Sequence, residues 1–203
     1  MKKKKWVIGL VALALIAAAV FPVRAAVREW RYQKSLALSF EMFTWRPDPV
    51  AVGLDMMCDS IDEALTAEMP VQRREALLTV YSWAEDVQEA VQEMGAYCVL
   101  YENAYHGGEY VQTMDGESRG IQGMVRLKTF LQHYVTGARD ASEVAFREQL
   151  QAVKTDLQWM RGVWNGAFPD GENLSRRERV RAFAGVFSEH APEWGRFFDA
   201  LSQ

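Results

Sequence analysis

Apolar residues along most of this chain recur in steps of three and four, the spacing that lines one face of an α-helix. Val50, Leu54, Met57, Ile61 and Leu65 keep that spacing after Asp48, a good N-cap with Pro49 at the first helical position, and predict a helix that runs until Pro70. Leu77, Tyr81, Ala84, Val87, Val91, Met94, Cys98, Tyr101 and Tyr105 predict a longer second helix, stopped by Gly107-Gly108. Its stripe advances by about 3.5 residues per step, a heptad-like period that requires a neighbouring helix. After a polar, glycine-containing loop, Ile121, Met124, Leu127, Leu131 and Tyr134 predict a third helix ending near Gly137. Asp140 and Glu143 form a capping box for a fourth, with Phe146, Leu150, Val153, Leu157, Met160 and Trp164 on its apolar face. Ser175 and Glu178 form another box, opening a helix with Val180, Phe183, Val186 and Phe187; Pro192 then starts a terminal turn carrying Trp194, Phe197, Phe198 and Leu201. Only residues 109–114 offer anything strand-like. The pattern predicts an all-α fold, an antiparallel bundle of about four to six helices within residues 48–203.

The N-terminus departs from this pattern. Residues 6–23 are uncharged throughout and follow Lys2, Lys3, Lys4 and Lys5. Eighteen residues rising about 1.5 Å each give about 27 Å of helix, just enough for a hydrocarbon core of about 30 Å. Residues 1–24 therefore read as a transmembrane signal-anchor helix or as a signal peptide cleaved after Ala25. Trp6 stands where an interfacial anchor would, and Pro22 and Arg24 crowd the cleavage site, which favours the uncleaved anchor. Residues 25–47 follow as a juxtamembrane helical stalk and linker carrying Trp30, Leu36, Leu38, Phe40 and Phe43, broken at Trp45-Arg46-Pro47-Asp48-Pro49. The four lysines before the run face Arg24, Arg28, Arg31 and Lys34 after it. The compact N-terminal block is the usual pattern for cytoplasmic retention, so the C-terminal domain is expected outside the cytoplasm.

Charge sharpens the division. Residues 1–34 hold 8 basic and 1 acidic side chain, leaving 15 basic and 26 acidic for the remainder. An acidic domain repels phosphate, so nucleic acid is not an expected partner. Residues 48–117 hold 15 acidic side chains against Arg73 and Arg74, whereas residues 119–161 hold 7 basic and 4 acidic. These segments are expected either to present solvated helix faces or to pack side by side.

Several metal and redox chemistries lack their residues. His106, His133 and His190 follow Asn103, Phe130 and Phe187 by three positions, so the paired Glu-x-x-His signature of di-iron bundles does not occur. Glu102 and His106 share a helix face without a second cluster. Asp55, Asp59, Asp62 and Glu63 line one helix side but supply no loop carbonyls, as calcium sites do, and Met56, Met57 and Cys58 diverge as helix neighbours must. No cofactor and no metal is implied. If the helices flanking Pro70 pair as an antiparallel hairpin, Cys58 faces residue 82 and Cys98 lies about 24 Å further along the axis. Two buried thiols are expected there rather than a Cys58–Cys98 disulfide.

Gly116-Glu117-Ser118-Arg119-Gly120 matches Gly-x-Ser-x-Gly, the nucleophile elbow of α/β-hydrolases, with Asp156 or Asp170 and then His190 in the order that fold uses. That chemistry needs a sharp strand-to-helix turn on a parallel sheet. The helical pattern instead predicts a loop in which Ser118 caps the third helix. Glu117-Ser118 and Gly120-Ile121-Gln122-Gly123-Met124 resemble the Glu-Ser and Gly-x-x-Gly-Leu-Met elements of lysozyme-like lytic transglycosylases, a mostly helical fold in which the two elements stand further apart. The resemblance covers eight residues and implies Glu117 as a general acid. Tyr97, Tyr101 and Tyr105 repeat every four residues, with Tyr110 beyond, as core-edge packing or as a binding ridge for sugar or protein. Together these features lead to a membrane-anchored, non-catalytic scaffold, adaptor or accessory subunit of a cell-envelope complex. It would contact the membrane through residues 6–23 and an unidentified protein partner, or a second copy, through its bundle. Two alternatives are an envelope hydrolase using Ser118 or Glu117 and a bundle that binds a sugar or other small molecule.

Overall fold

The computed structural model describes residues 20, 22–33, 37, 47–105, 114–136, 144–169 and 174–202. Contacts divide the chain into two units, residues 1–42 and 43–203. In the first, residues 22–33 form helix α1. Nearly all of the apolar run 6–23 lies outside the described residues, among which no helix is long and apolar enough to cross a membrane.

The second unit is helical throughout its described residues: α2 (Pro47–Thr66), α3 (Pro70–Tyr105), α4 (Met114–Val135), α5 (Val144–Ala167), α6 (Arg176–Ser188), the single turn α7 (Ala191–Trp194) and a 3₁₀ turn, η1 (Asp199–Ser202). The expected stripes form its core. Val50, Leu54, Met57 and Ile61 of α2, and all six apolar positions of the α5 stripe, are buried. The Ser175–Glu178 capping box is closed in both directions, with Ser175 N–H donating to Glu178 Oε2 at 2.8 Å and Glu178 N–H to Ser175 Oγ at 3.4 Å.

Helix α2 stops at Thr66, four residues before the expected boundary. Arg73 explains the stop, because its guanidinium donates to the orphan carbonyls of Ala64 (3.3 Å) and Ala67 (2.7 Å). Pro70 then opens α3, where its missing N–H costs no helical hydrogen bond. At Gly53 a Cβ would overlap Val87, so the glycine lets α2 and α3 close tightly.

Helix α5 lies antiparallel to α2 on α2's other side. Asp55 pairs with Arg161 at 2.5 Å and Asp62 with Lys154 at 2.6 Å, so the partners run in opposite directions, and Arg147 donates to Leu65 O at 2.6 Å. Acidic and basic segments do pack side by side at these positions, while Asp59 and Glu63 stay exposed. Antiparallel pairing of α3 with α4 carries Lys128 to within 3.8 Å of Glu85 and 6.0 Å of the Tyr81 ring. The result is an up-down-up-down bundle.

Helices α4 and α5 meet near their connection, where Phe130, Tyr134 and Phe146 bring ring centroids within 3.9 to 5.5 Å. Toward the other end α6, α7, η1 and the turn between the last two fill the space between them with Phe183, Phe187, Trp194, Phe197 and Phe198. Trp194 Nε1 donates to Val186 O at 2.8 Å, closing this wedge on itself.

Two glycines of α5 have no such packing role. A Cβ at Gly162 or Gly166 would meet nothing within 4 Å. Glycine in a helix interior costs about 0.5–1 kcal/mol relative to alanine. Gly162→Ala and Gly166→Ala are each expected to raise the unfolding free energy by about that amount, which urea titration would measure.

Candidate functional site

The residues singled out by sequence converge on the first turns of α4, which the sequence pattern assigns to a loop. The helix begins at Met114, so Gly-x-Ser-x-Gly lies inside it and no strand-to-helix elbow is formed. The cause sits about 70 residues away, in the aromatic wedge. A Cβ at Gly116 would stand 2.5 Å from the carbonyl oxygen of Phe187, one at Gly120 would lie 3.1 Å from Trp194, and one at Gly123 would lie 3.3 Å from Phe198. Spaced by four and three, these glycines form one helix face that lets α4 approach the wedge closely. Ser118 points elsewhere, into solvent.

Its supposed triad partners are engaged in the wedge instead. His190 packs edge-on to Trp159 at 5.3 Å, just before α7. Asp156 accepts the backbone N–H of Phe198 at 3.1 Å and so holds this residue, whose φ of 58° is strained for a bulky side chain. Burial raises the Asp156 carboxyl, Asp199 adds to the rise, and the Phe198 hydrogen bond opposes it. Among the described residues no hydrogen bond joins Ser118 to His190. Asp170 lies outside the described residues.

Glu117 turns the other way, onto α3. It is 8% exposed, and its carboxyl occupies the notch left by the missing side chain of Gly95, where a Cβ would overlap it. Cys98 and Glu102, both buried, lie on the same α3 face. Burial, then the carboxylates of Glu117 and Glu102, push the Cys98 thiol up, which leaves it protonated and a poor nucleophile. Burial alone pushes Glu117 up to about 7. The sequence gives one clue to this cluster, since Gly95, Cys98 and Glu102 share a helical face; the burial of Glu117 depends on the α3–α4 pairing.

The Glu117 shift sets the direction of a pH effect. A carboxyl whose folded pKa lies above its unfolded value binds its proton more tightly when folded, so its contribution is full below about 4.5 and lost as pH rises through about 7. Wild type is expected to lose about 2 kcal/mol on this account between pH 5 and pH 8. Glu117→Gln should remove that slope and be the more stable chain at pH 8. Equal slopes in urea titrations of the two proteins would refute this.

The remaining candidates are dispersed. Cys58 is a free buried thiol, pushed up to about 11 by burial and then by Asp55. It faces the Asp55–Arg161 side of α2, whereas Cys98, also free, faces Glu117. Tyr97 is almost wholly buried, 6.4 Å from half-buried Tyr101. Tyr97 is therefore not part of a surface ridge. Tyr105 ends α3, and His106 and Tyr110 lie outside the described residues. His133 is exposed in the last turn of α4. No group of three or more metal-ligating side chains occurs among the described residues. An apolar cavity where α2, α3 and α5 meet the wedge, lined by Leu54, Val91, Met124 and Trp164, measures about 20 Å³, room for about one water molecule.

Comparison with known proteins finds no matching family model, no matching curated protein and no matching solved structure.

Proposed function

We propose that this chain is a membrane-anchored, extracytoplasmic helical bundle that works by contact, as a scaffold, adaptor or accessory subunit of a cell-envelope complex. The observation that carries the non-catalytic part is the fate of Gly-x-Ser-x-Gly: its glycines serve helix packing, and among the described residues no hydrogen bond joins the exposed Ser118 to His190. The anchor rests on residues 6–23 behind four lysines, and sidedness on the compactness of that basic block. Crosslinking in intact cells tests the scaffold, the expected result being a defined protein partner; recovery of the chain alone would oppose it. A reporter fused after Gln203 tests sidedness, and a cytoplasmic signal would overturn it.

One observation favours a second reading, hydrolysis of envelope glycan with Glu117 as general acid. Its carboxyl, pushed up to about 7, would hold a proton near neutral pH. Glycan turnover abolished by Glu117→Gln would support that reading, while the close fit of the carboxyl against Gly95, beside Cys98, favours a structural role.

A further inference from the structure

Helix α1 presents two adjacent stripes of opposite character. Val23, Val27 and Trp30, spaced by four and three, form an apolar stripe and are 61%, 45% and 62% exposed. Arg24, Arg28 and Arg31 repeat the same spacing one position on and form a basic stripe beside it. Glu29, its sole acidic side chain, lies toward the opposite side, where Gln33 donates to it at 3.2 Å.

Four charged residues among the twelve of residues 22–33 are too many for a helix in hydrocarbon, where each costs about 2.5–3.5 kcal/mol near the centre. A short helix with an apolar face, a strongly basic face and an aromatic residue at the boundary is suited to the plane of the headgroups. Two occupants could cover the apolar stripe. In a second copy, parallel pairing on Val23, Val27 and Trp30 would place Arg24 and Arg31 beside Ala26 and Gln33, with no acid to oppose them. An anionic lipid surface complements both stripes at once, and Lys34, on the same side of the anchor, adds to the attraction.

We propose that α1 lies along the membrane surface, with Val23, Val27 and Trp30 in the interface and Arg24, Arg28 and Arg31 on anionic headgroups, rather than standing as a stalk. This rests on the anchored reading, since residues 6–23 deliver α1 to the bilayer.

The test uses the full chain with vesicles of phosphatidylcholine, with or without phosphatidylglycerol. Flotation with the neutral vesicles reports the anchor. Quenching of Trp30 by lipids brominated near the headgroup, taken as the difference between wild type and Trp30→Phe, reports α1. Strong Trp30 quenching that requires phosphatidylglycerol is expected, weakened by salt and by about fivefold in the docking equilibrium for each arginine changed to glutamine. A chain that floats while Trp30 stays unquenched in both vesicles would overturn the proposal and leave the anchor standing. A chain that fails to float on neutral vesicles, yet floats with Trp30 quenched on phosphatidylglycerol, would overturn the anchor and keep the lipid contact. Trp30 shielded without lipid, with crosslinks between copies of α1, would overturn the proposal in favour of a dimer.

Discussion

Replacing Trp164 with alanine is expected to lower the unfolding free energy by about 3–5 kcal/mol, a large part of the about 5–15 kcal/mol that holds a domain folded. The indole is 2% exposed and joins its own helix α5 to α2 and α6. Its Nε1 donates to Pro47 O at 3.1 Å, fixing the start of α2 against α5. Its ring stands edge-on to Phe183 of α6 at 6.2 Å and packs on Phe168 at 4.9 Å. Truncation would enlarge the cavity that Trp164 already lines, and the ion pairs of Asp55 and Asp62 to α5 restrict collapse into it. Trp164→Phe keeps most of the ring and loses the hydrogen bond, so its cost should be nearer 1–2 kcal/mol, about that of leaving one acceptor unserved. A urea titration that ranks the two variants the other way would contradict this assignment.

The second large effect belongs to Gly116. Gly116→Val is expected to cost about 2–3 kcal/mol, the range for forcing extra carbon into a packed interior. The clash is with a backbone carbonyl, Phe187 O, which lies within a helix and cannot rotate away. Ser118→Ala, two residues on, removes an exposed hydroxyl and should change stability by no more than about 0.5 kcal/mol. A nucleophile elbow would reverse part of this contrast, because Ser118→Ala would then abolish activity whatever it did to stability. Thermal or urea unfolding of the two variants, with a serine-directed probe on the second, separates the cases.

These expectations show which parts of the molecule can be read from residue order. Long helices with stripes such as Phe146, Leu150, Val153, Leu157, Met160 and Trp164 are legible because the burial of each position follows from its neighbours on the same helix. The Ser175–Glu178 box is legible because capping is local. The first turns of α4 are not. Gly116, Gly120 and Gly123 look like a loop because glycine disfavours helix, and the aromatic residues that require their small size lie far along the chain. The burial of Glu117 has the same origin, since only the α3–α4 pairing brings it to Gly95. The Arg73 cap on α2 is likewise invisible to a rule that ends helices at proline.

One continuous α4 helix through Gly-x-Ser-x-Gly underlies both the packing role of its glycines and the non-catalytic reading, and residue-resolved backbone hydrogen exchange tests it most directly. Amides from Ser118 to Ile121 are the first that can donate to carbonyls within α4, so they should exchange slowly together with those up to Val135. Fast exchange confined to residues 116–121, with protection beginning only beyond them, would mean a loop or elbow at Ser118 and would contradict the packing role of its glycines.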